Sequence, residues 1–198
     1  MNTDALRNID FTSPAVLIGV GIAVLLTVVA IAVAVDLKKK KTARLRGRFG
    51  AEYDHVLSET GSRKKTEEIL SARLKRVETL KIRDLAVAER ERYLAEWQVL
   101  QSRFIDHPRG AVIEADELVN SLLIERGYPA GEFGQRAEDI SVNHSALVEP
   151  YRLANIITAR AGRNEATTEE LRTAMIQYRT LFDALLETNT AIEHRKRA

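Results

Sequence analysis

Pro14-Ala-Val-Leu-Ile-Gly-Val-Gly-Ile-Ala-Val-Leu-Leu-Thr-Val-Val-Ala-Ile-Ala-Val-Ala-Val35 decides how the rest of the chain is read. No charged residue falls between Asp10 and Asp36, and Thr27 is the only polar side chain within the stretch. A helix rising about 1.5 Å per residue needs about 20 apolar residues to cross a hydrocarbon core of about 30 Å. A helix also satisfies its own backbone hydrogen bonds, which any lipid-exposed span must do. Residues 14–35 are therefore expected to form a transmembrane helix in contact with the lipid bilayer. Gly19 and Gly21 are two apart rather than four, so they make no GxxxG pairing face.

The flanks of this stretch are unequal. Lys38, Lys39, Lys40, Lys41, Arg44, Arg46 and Arg48 follow it, whereas only Asp4, Arg7 and Asp10 carry charge before it. Basic flanks stay on the cytoplasmic side, which predicts an N-terminus outside and a C-terminal domain in the cytoplasm of a bacterial inner (plasma) membrane. The alternative is export after cleavage near Ala34, because Ala32-Val33-Ala34 is an A-x-A pattern. Against it, the segment before the apolar run is net negative, and four consecutive lysines follow close behind the cleavage point.

The formal net charge of +2 conceals a strong asymmetry. Residues 1–35 contribute −1 and residues 36–48 contribute +6, which leaves −3 on the remaining 150 residues. The basic excess thus belongs to a juxtamembrane collar. A nucleic-acid binder carries its basic face on the folded domain, so no nucleic-acid partner is expected. The collar residues Lys38 to Lys41, Arg44, Arg46 and Arg48 are instead suited to anionic headgroups. The chain has no cysteine, which excludes disulfides, a thiol nucleophile and thiolate metal sites.

Beyond the collar, apolar residues recur at helical spacing between Gly and Pro punctuation. Phe49, Tyr53, Val56 and Leu57 share one face from the collar to about Ser58. Leu70, Leu74 and Val77 mark a helix over 64–80, with Ile82 and Leu85 in a connector. Tyr93, Trp97, Leu100 and Phe104 form a stripe over 88–105, broken at Asp106-His107-Pro108. Pro108 suits the first turn of the next helix, which buries Val112, Ala115, Leu118, Val119 and Leu122 and stops at Arg126-Gly127-Tyr128-Pro129. Residues 130–145 are the least regular, with one short helix predicted over 132–139. A helix over 146–160 follows. The last begins at Thr167, whose spacing to Glu170 is that of a capping box, and runs to about Glu187. No strand pattern and no repeat is present. The expected fold is all-α, an N-terminal transmembrane helix followed by a compact helical bundle of about five to seven helices. Its predicted divisions are an extracytoplasmic 1–13, the span 14–35, the collar 36–48, the bundle 49–187 and a basic flexible tail 188–198.

No phosphate-binding loop, dinucleotide fingerprint, nucleophile elbow or HExxH occurs. Glu52-Tyr53-Asp54-His55 is formally an E-x-x-H, but a di-metal bundle needs a second copy, so this segment is expected to be a solvated helix face. No metal, cofactor or catalytic residue is assigned. The remaining candidate is a binding surface built from Arg126, Tyr128, Phe133, Arg136, Asp139, His144, Tyr151 and Arg152, where polar and aromatic groups concentrate in the least regular stretch. Its other reading is a packed helix–helix connector. Ser141 or Ser145 with His144 and Asp139 is the one conceivable nucleophile set, without any elbow or oxyanion pattern around it.

Phe49-Gly50-Ala51-Glu52-Tyr53-Asp54, Tyr93-Leu94-Ala95-Glu96-Trp97, Gln101-Ser102-Arg103-Phe104-Ile105-Asp106 and Ala115-Asp116-Glu117-Leu118 carry a resemblance. It continues in Arg126-Gly127-Tyr128-Pro129, Ser141-Val142-Asn143-His144, Tyr151-Arg152, Leu171-Arg172-Thr173-Ala174-Met175 and Tyr178-Arg179-Thr180-Leu181-Phe182. In these segments the chain resembles an uncharacterised family of small bacterial single-pass membrane-anchored helical proteins. That pattern often has proline after the histidine, where this chain has Ser145. The resemblance implies an anchor and a helical domain and brings no activity with it. The functional expectation is a non-catalytic, membrane-tethered interaction or scaffold module with an unknown protein partner. A small-ligand-binding or hydrolytic domain using residues 126–152 is the alternative.

Overall fold

A computed structural model describes residues 14–187; the predicted N-terminal segment 1–13 and tail 188–198 lie outside the described residues. The described chain forms eight α-helices: α1 (Pro14–Phe49), α2 (Ala51–Thr60), α3 (Arg63–Glu78), α4 (Val87–Asp106), α5 (Pro108–Glu125), α6 (Phe133–Asn143), α7 (Val148–Gly162) and α8 (Thr168–Leu186). A 3-10 turn, Ser145–Leu147, leads into α7. The all-helical expectation holds.

Two compact units divide the chain, Met1–Arg44 and Leu45–Ala198. In the first, α1 is long and apolar enough to cross a membrane, and none of its apolar window is buried within the protein. Ile18, Leu25, Leu26 and Ile31 are all exposed. The hydroxyl of Thr27, the only polar group in the stretch, donates to the Ala23 carbonyl at 2.8 Å. It therefore presents no unsatisfied donor to an apolar surrounding.

The second unit has two cores. The larger joins α4, α5, α7 and α8, with Trp97, Val112, Ala115, Leu122, Tyr151, Ala154, Tyr178 and Phe182 buried together. The Trp97 and Phe182 rings stack at 4.7 Å, and Tyr151 meets Tyr178 edge-on at 6.2 Å. These are the offset and edge geometries that the ring quadrupole favours. The smaller core collects Leu45 and Phe49 at the end of α1, Tyr53 and Val56 on α2, Leu70 and Val77 on α3, and Val142 on α6.

Two local predictions need correction. The face from the collar to Ser58 is not one helix: Gly50, at φ 52°, breaks it into α1 and α2. Glycine alone takes that conformation without steric cost, and the apolar spacing on either side masks the break. The short helix predicted over 132–139 runs a turn further, to Asn143, because Ile140 and Val142 are buried.

The stop after α5 follows the predicted chemistry. Gly127 has φ 95°, its N–H donates to Ile124 O at 2.9 Å, and Tyr128 N–H reaches back to Leu123 O at 3.0 Å. This is the double bond pattern of a Schellman cap. A Cβ at Gly127 would lie 2.4 Å from the Lys81 carbonyl oxygen. Gly127→Ala is expected to destabilise the protein by about 2 kcal/mol or more, from left-handed strain and backbone collision together. Urea melts of the full chain in detergent micelles, followed by circular dichroism, measure this; an unchanged midpoint would contradict the close approach.

Candidate functional site

α2 begins immediately after Gly50 and carries Glu52 inward on the face shared by Phe49, Tyr53 and Val56. Its carboxylate is only 1% exposed. A carboxylate cannot remain charged there without partners. Two arginines supply them. Arg73 on α3, 6% exposed, donates to Glu52 Oε1 at 2.6 Å. Arg152 on α7 closes a fork, with Nη1 to Oε2 at 2.8 Å and Nη2 to Oε1 at 2.9 Å. Burial alone would raise the Glu52 pKa, but the hydrogen bonds and charges of Arg152 and Arg73 outweigh it and hold the group below its ordinary value.

The network extends onto α6. Arg73 donates to Glu138 at 3.3 Å, and Arg76 donates to Glu138 at 2.9 Å and to Asp139 Oδ1 at 2.7 Å. Gln135 adds a bond to Asp139 Oδ1 at 3.2 Å. Arg152 also pairs with Glu149. His55 flanks the edge, 3.2 Å from Glu59 and 3.7 Å from Glu149. Charged side chains from α2, α3, α6 and α7 thus meet at one seam between the two cores. The segment 52–55 is therefore not a solvated helix face. His55 stays half-exposed, but Glu52 points into the seam. The clue lay in phase: Arg73 falls between Leu70 and Val77 on the same stripe, and Glu52 between Phe49 and Val56.

A second polar cluster crosses the larger core. Tyr178 OH donates to Asp116 Oδ1 at 3.1 Å, and Asn120 Nδ2 donates to Asp116 Oδ2 at 3.3 Å. Tyr151 OH donates to Asn120 Oδ1 and accepts from Arg136 Nε, each at 3.3 Å. Burial raises the Asp116 pKa against the opposing pull of Tyr178, Arg136 and Asn120. Burial likewise raises the Tyr178 hydroxyl, and the Asp116 charge adds to it.

The candidate surface is distributed among these structures. Arg126, Tyr128, Asp139 and Tyr151 are buried, while Phe133, Arg136, His144 and Arg152 are half-buried. Arg126 donates to the Leu185 and Glu187 carbonyls at 2.6 and 3.0 Å, tying the end of α8 to the end of α5. Tyr128 accepts from Asn143 at 3.3 Å. Phe133 lies 4.9 Å from the Tyr151 ring, and Arg136 also bonds the Gly131 carbonyl. His144 ends α6, its N–H bonding Ile140 O at 2.8 Å and its carbonyl accepting from Leu147 at 2.9 Å. Ser141 donates to the Glu138 carbonyl and Asp139 accepts from Arg76, so their hydrogen bonds serve packing. Among the described residues, no group of three His, Cys, Asp or Glu side chains converges to hold a metal.

The collar divides in two. Lys38, Lys39, Lys40, Lys41 and Arg44 are exposed, with Lys40 paired to Asp36 at 2.9 Å. Arg46 and Arg48 belong to the second unit. Arg46 lies over the Tyr53 ring at 4.9 Å, and Arg48 donates to Val142 O and Asn143 Oδ1 at 3.2 Å each.

No protein-family model, curated protein or solved structure matches the chain.

Removing one partner of a buried ion pair strands the other, at about 3–5 kcal/mol. Glu52→Ala should destabilise the bundle on that scale. The folded Glu52 pKa is depressed, so its contribution is complete above the ordinary glutamate value of about 4.3 and is lost as pH falls through the lower folded value. Urea melts between pH 7 and pH 3 should show a steeper acid loss for the parent than for Glu52→Gln. Identical acid limbs would rule out a charged Glu52 in the seam.

Proposed function

We propose that the chain is a non-catalytic, single-pass membrane-anchored interaction module, with its helical bundle on the cytoplasmic face of a bacterial inner membrane. The observation that carries this reading is the use of the ionisable groups. Between Arg126 and Arg152, most of the charged and aromatic side chains are engaged inside the fold: Arg126 with the Leu185 and Glu187 carbonyls, Tyr128 with Asn143, Arg136 with Tyr151, and Arg152 with Glu52. What remains available is surface. Catalytic groups, by contrast, must reach a reacting atom.

The exposed, apolar α1 supports an anchor. The five exposed cations from Lys38 to Arg44 support a cytoplasmic collar against anionic headgroups, each worth about 1 kcal/mol near such a surface. Arg46 and Arg48, engaged on Tyr53 and the end of α6, act on the bundle side of that collar.

Fusions at the C-terminus test the placement. A fluorescent protein that matures only in the cytoplasm should be active, and alkaline phosphatase, which needs export, should be inactive, on a chain whose N-terminus is intact by mass spectrometry. Active phosphatase would overturn the orientation, and a chain beginning after Ala34 would overturn the anchor. In vivo cross-linking before solubilisation should recover a reproducible partner; its absence would count against an interaction module.

A further inference from the structure

Helices α4 and α5 are joined through His107 alone and leave a groove between them on the side away from the core. The groove is about 510 Å³, with Val99, Leu100 and Leu118 as an apolar floor. Leu100 and Leu118 are buried in the core, but Val99 is 53% exposed. Above this floor stand Glu96 from α4 and Glu114 and Glu117 from α5. One cation, Arg103, lines the same groove and bonds Glu114 at 2.8 Å. Arg92 pairs with Glu96 at 3.8 Å, so three carboxylates face two cations here. Among the described residues, no cation pairs with Glu117.

This pattern differs from that of the seam. At the seam every carboxylate has an arginine partner. Here acidic groups outnumber the local cations beside an exposed β-branched side chain, an arrangement that packing within the bundle does not require. An apolar trough with acidic walls is complementary to an amphipathic helix that has an apolar anchor row and flanking Lys or Arg.

We propose that the α4–α5 groove docks a basic, helical juxtamembrane segment of a partner membrane protein. The occupant follows from charge complementarity and from the placement proposed above, on which this step rests. On the cytoplasmic face, the short flanks of membrane spans carry the Lys and Arg excess that sets topology. A module tethered there meets such segments at high effective concentration. Val99, Leu100 and Leu118 take an apolar anchor, while Glu96 and Glu117 take the cations beside it. Rim charges of this kind govern partner choice and association rate more than affinity.

The test uses the full chain in phosphatidylcholine nanodiscs, which present no anionic lipid to compete for basic peptides. The probes are synthetic 15-residue Lys/Arg-rich flanks of bacterial inner-membrane spans, each paired with a Lys/Arg→Glu counterpart. Members of the basic set should bind, their counterparts should not, and added salt should weaken binding. Glu96→Lys with Glu117→Lys should weaken it about tenfold or more, as should Val99→Asp, at unchanged circular dichroism. Glu68→Lys with Glu78→Lys, which makes the same change in net charge on exposed α3 positions, should leave it intact. Equal loss in the α3 variant would reduce the effect to bulk charge and overturn the groove. Binding by no basic segment would also overturn it, as would a second copy of the chain as the only occupant. A partner cross-linked in vivo equally well to the parent and to Glu96→Lys/Glu117→Lys would sink the groove while leaving the interaction module standing.

Discussion

A charged glutamate held inside a helical bundle constrains everything packed around it. Glu52 is almost wholly removed from water, and its two oxygens accept from Arg73 on one side and a forked Arg152 on the other. The two arginines sit on α3 and α7, so satisfying one carboxylate fixes three helices at once. Arg73 and Arg76 then engage Glu138 and Asp139, which brings α6 into the same seam. Replacing such a network with apolar residues of equal volume is often neutral or stabilising, since desolvating charges is expensive. We therefore read its role as specificity of docking. The smaller core of α1's last turn, α2 and α3 meets the larger core in the register that gives Glu52, Glu138 and Asp139 their arginine partners.

The helices and their inward faces were legible from spacing because each element obeys one period. Tyr93, Trp97 and Leu100 are buried as their stripe requires, with Phe104 half-buried at its end. Local chemistry was equally legible: Thr167 and Glu170 do exchange capping bonds, with Thr167 N–H to Glu170 at 2.8 Å and Glu170 N–H to Thr167 Oγ1 at 3.3 Å. The seam was not legible. A glutamate on an apolar stripe reads as solvated unless its partners are known, and those partners lie 21 and 100 residues away. Nothing local encodes such separations. Gly50 hid for the opposite reason: the apolar spacing continues across it while the backbone turns.

The same distinction governs the stretch from Arg126 to Arg152. Its aromatic and ionisable residues suggested a surface, because composition carries no information on direction. In the fold, Arg126 ties helix ends, Tyr128 and Tyr151 lie in the core, and Arg152 completes the seam. Polar residues here do the joining that apolar residues do between α4 and α5. The surface left for partners is then set by what these contacts do not cover, which directs attention to the acidic trough over Val99.

Residue-resolved hydrogen exchange of the full chain, comparing the parent with Glu52→Gln, tests the seam most directly. The seam account requires the amides of α2 and α3 in the parent to open with those of α6 and α7, since one charge network joins them. In Glu52→Gln, α2 and α3 should lose protection as a separate unit while α4, α5 and α8 keep theirs. Protection lost evenly across all helices, or left unchanged in α2 and α3, would contradict it.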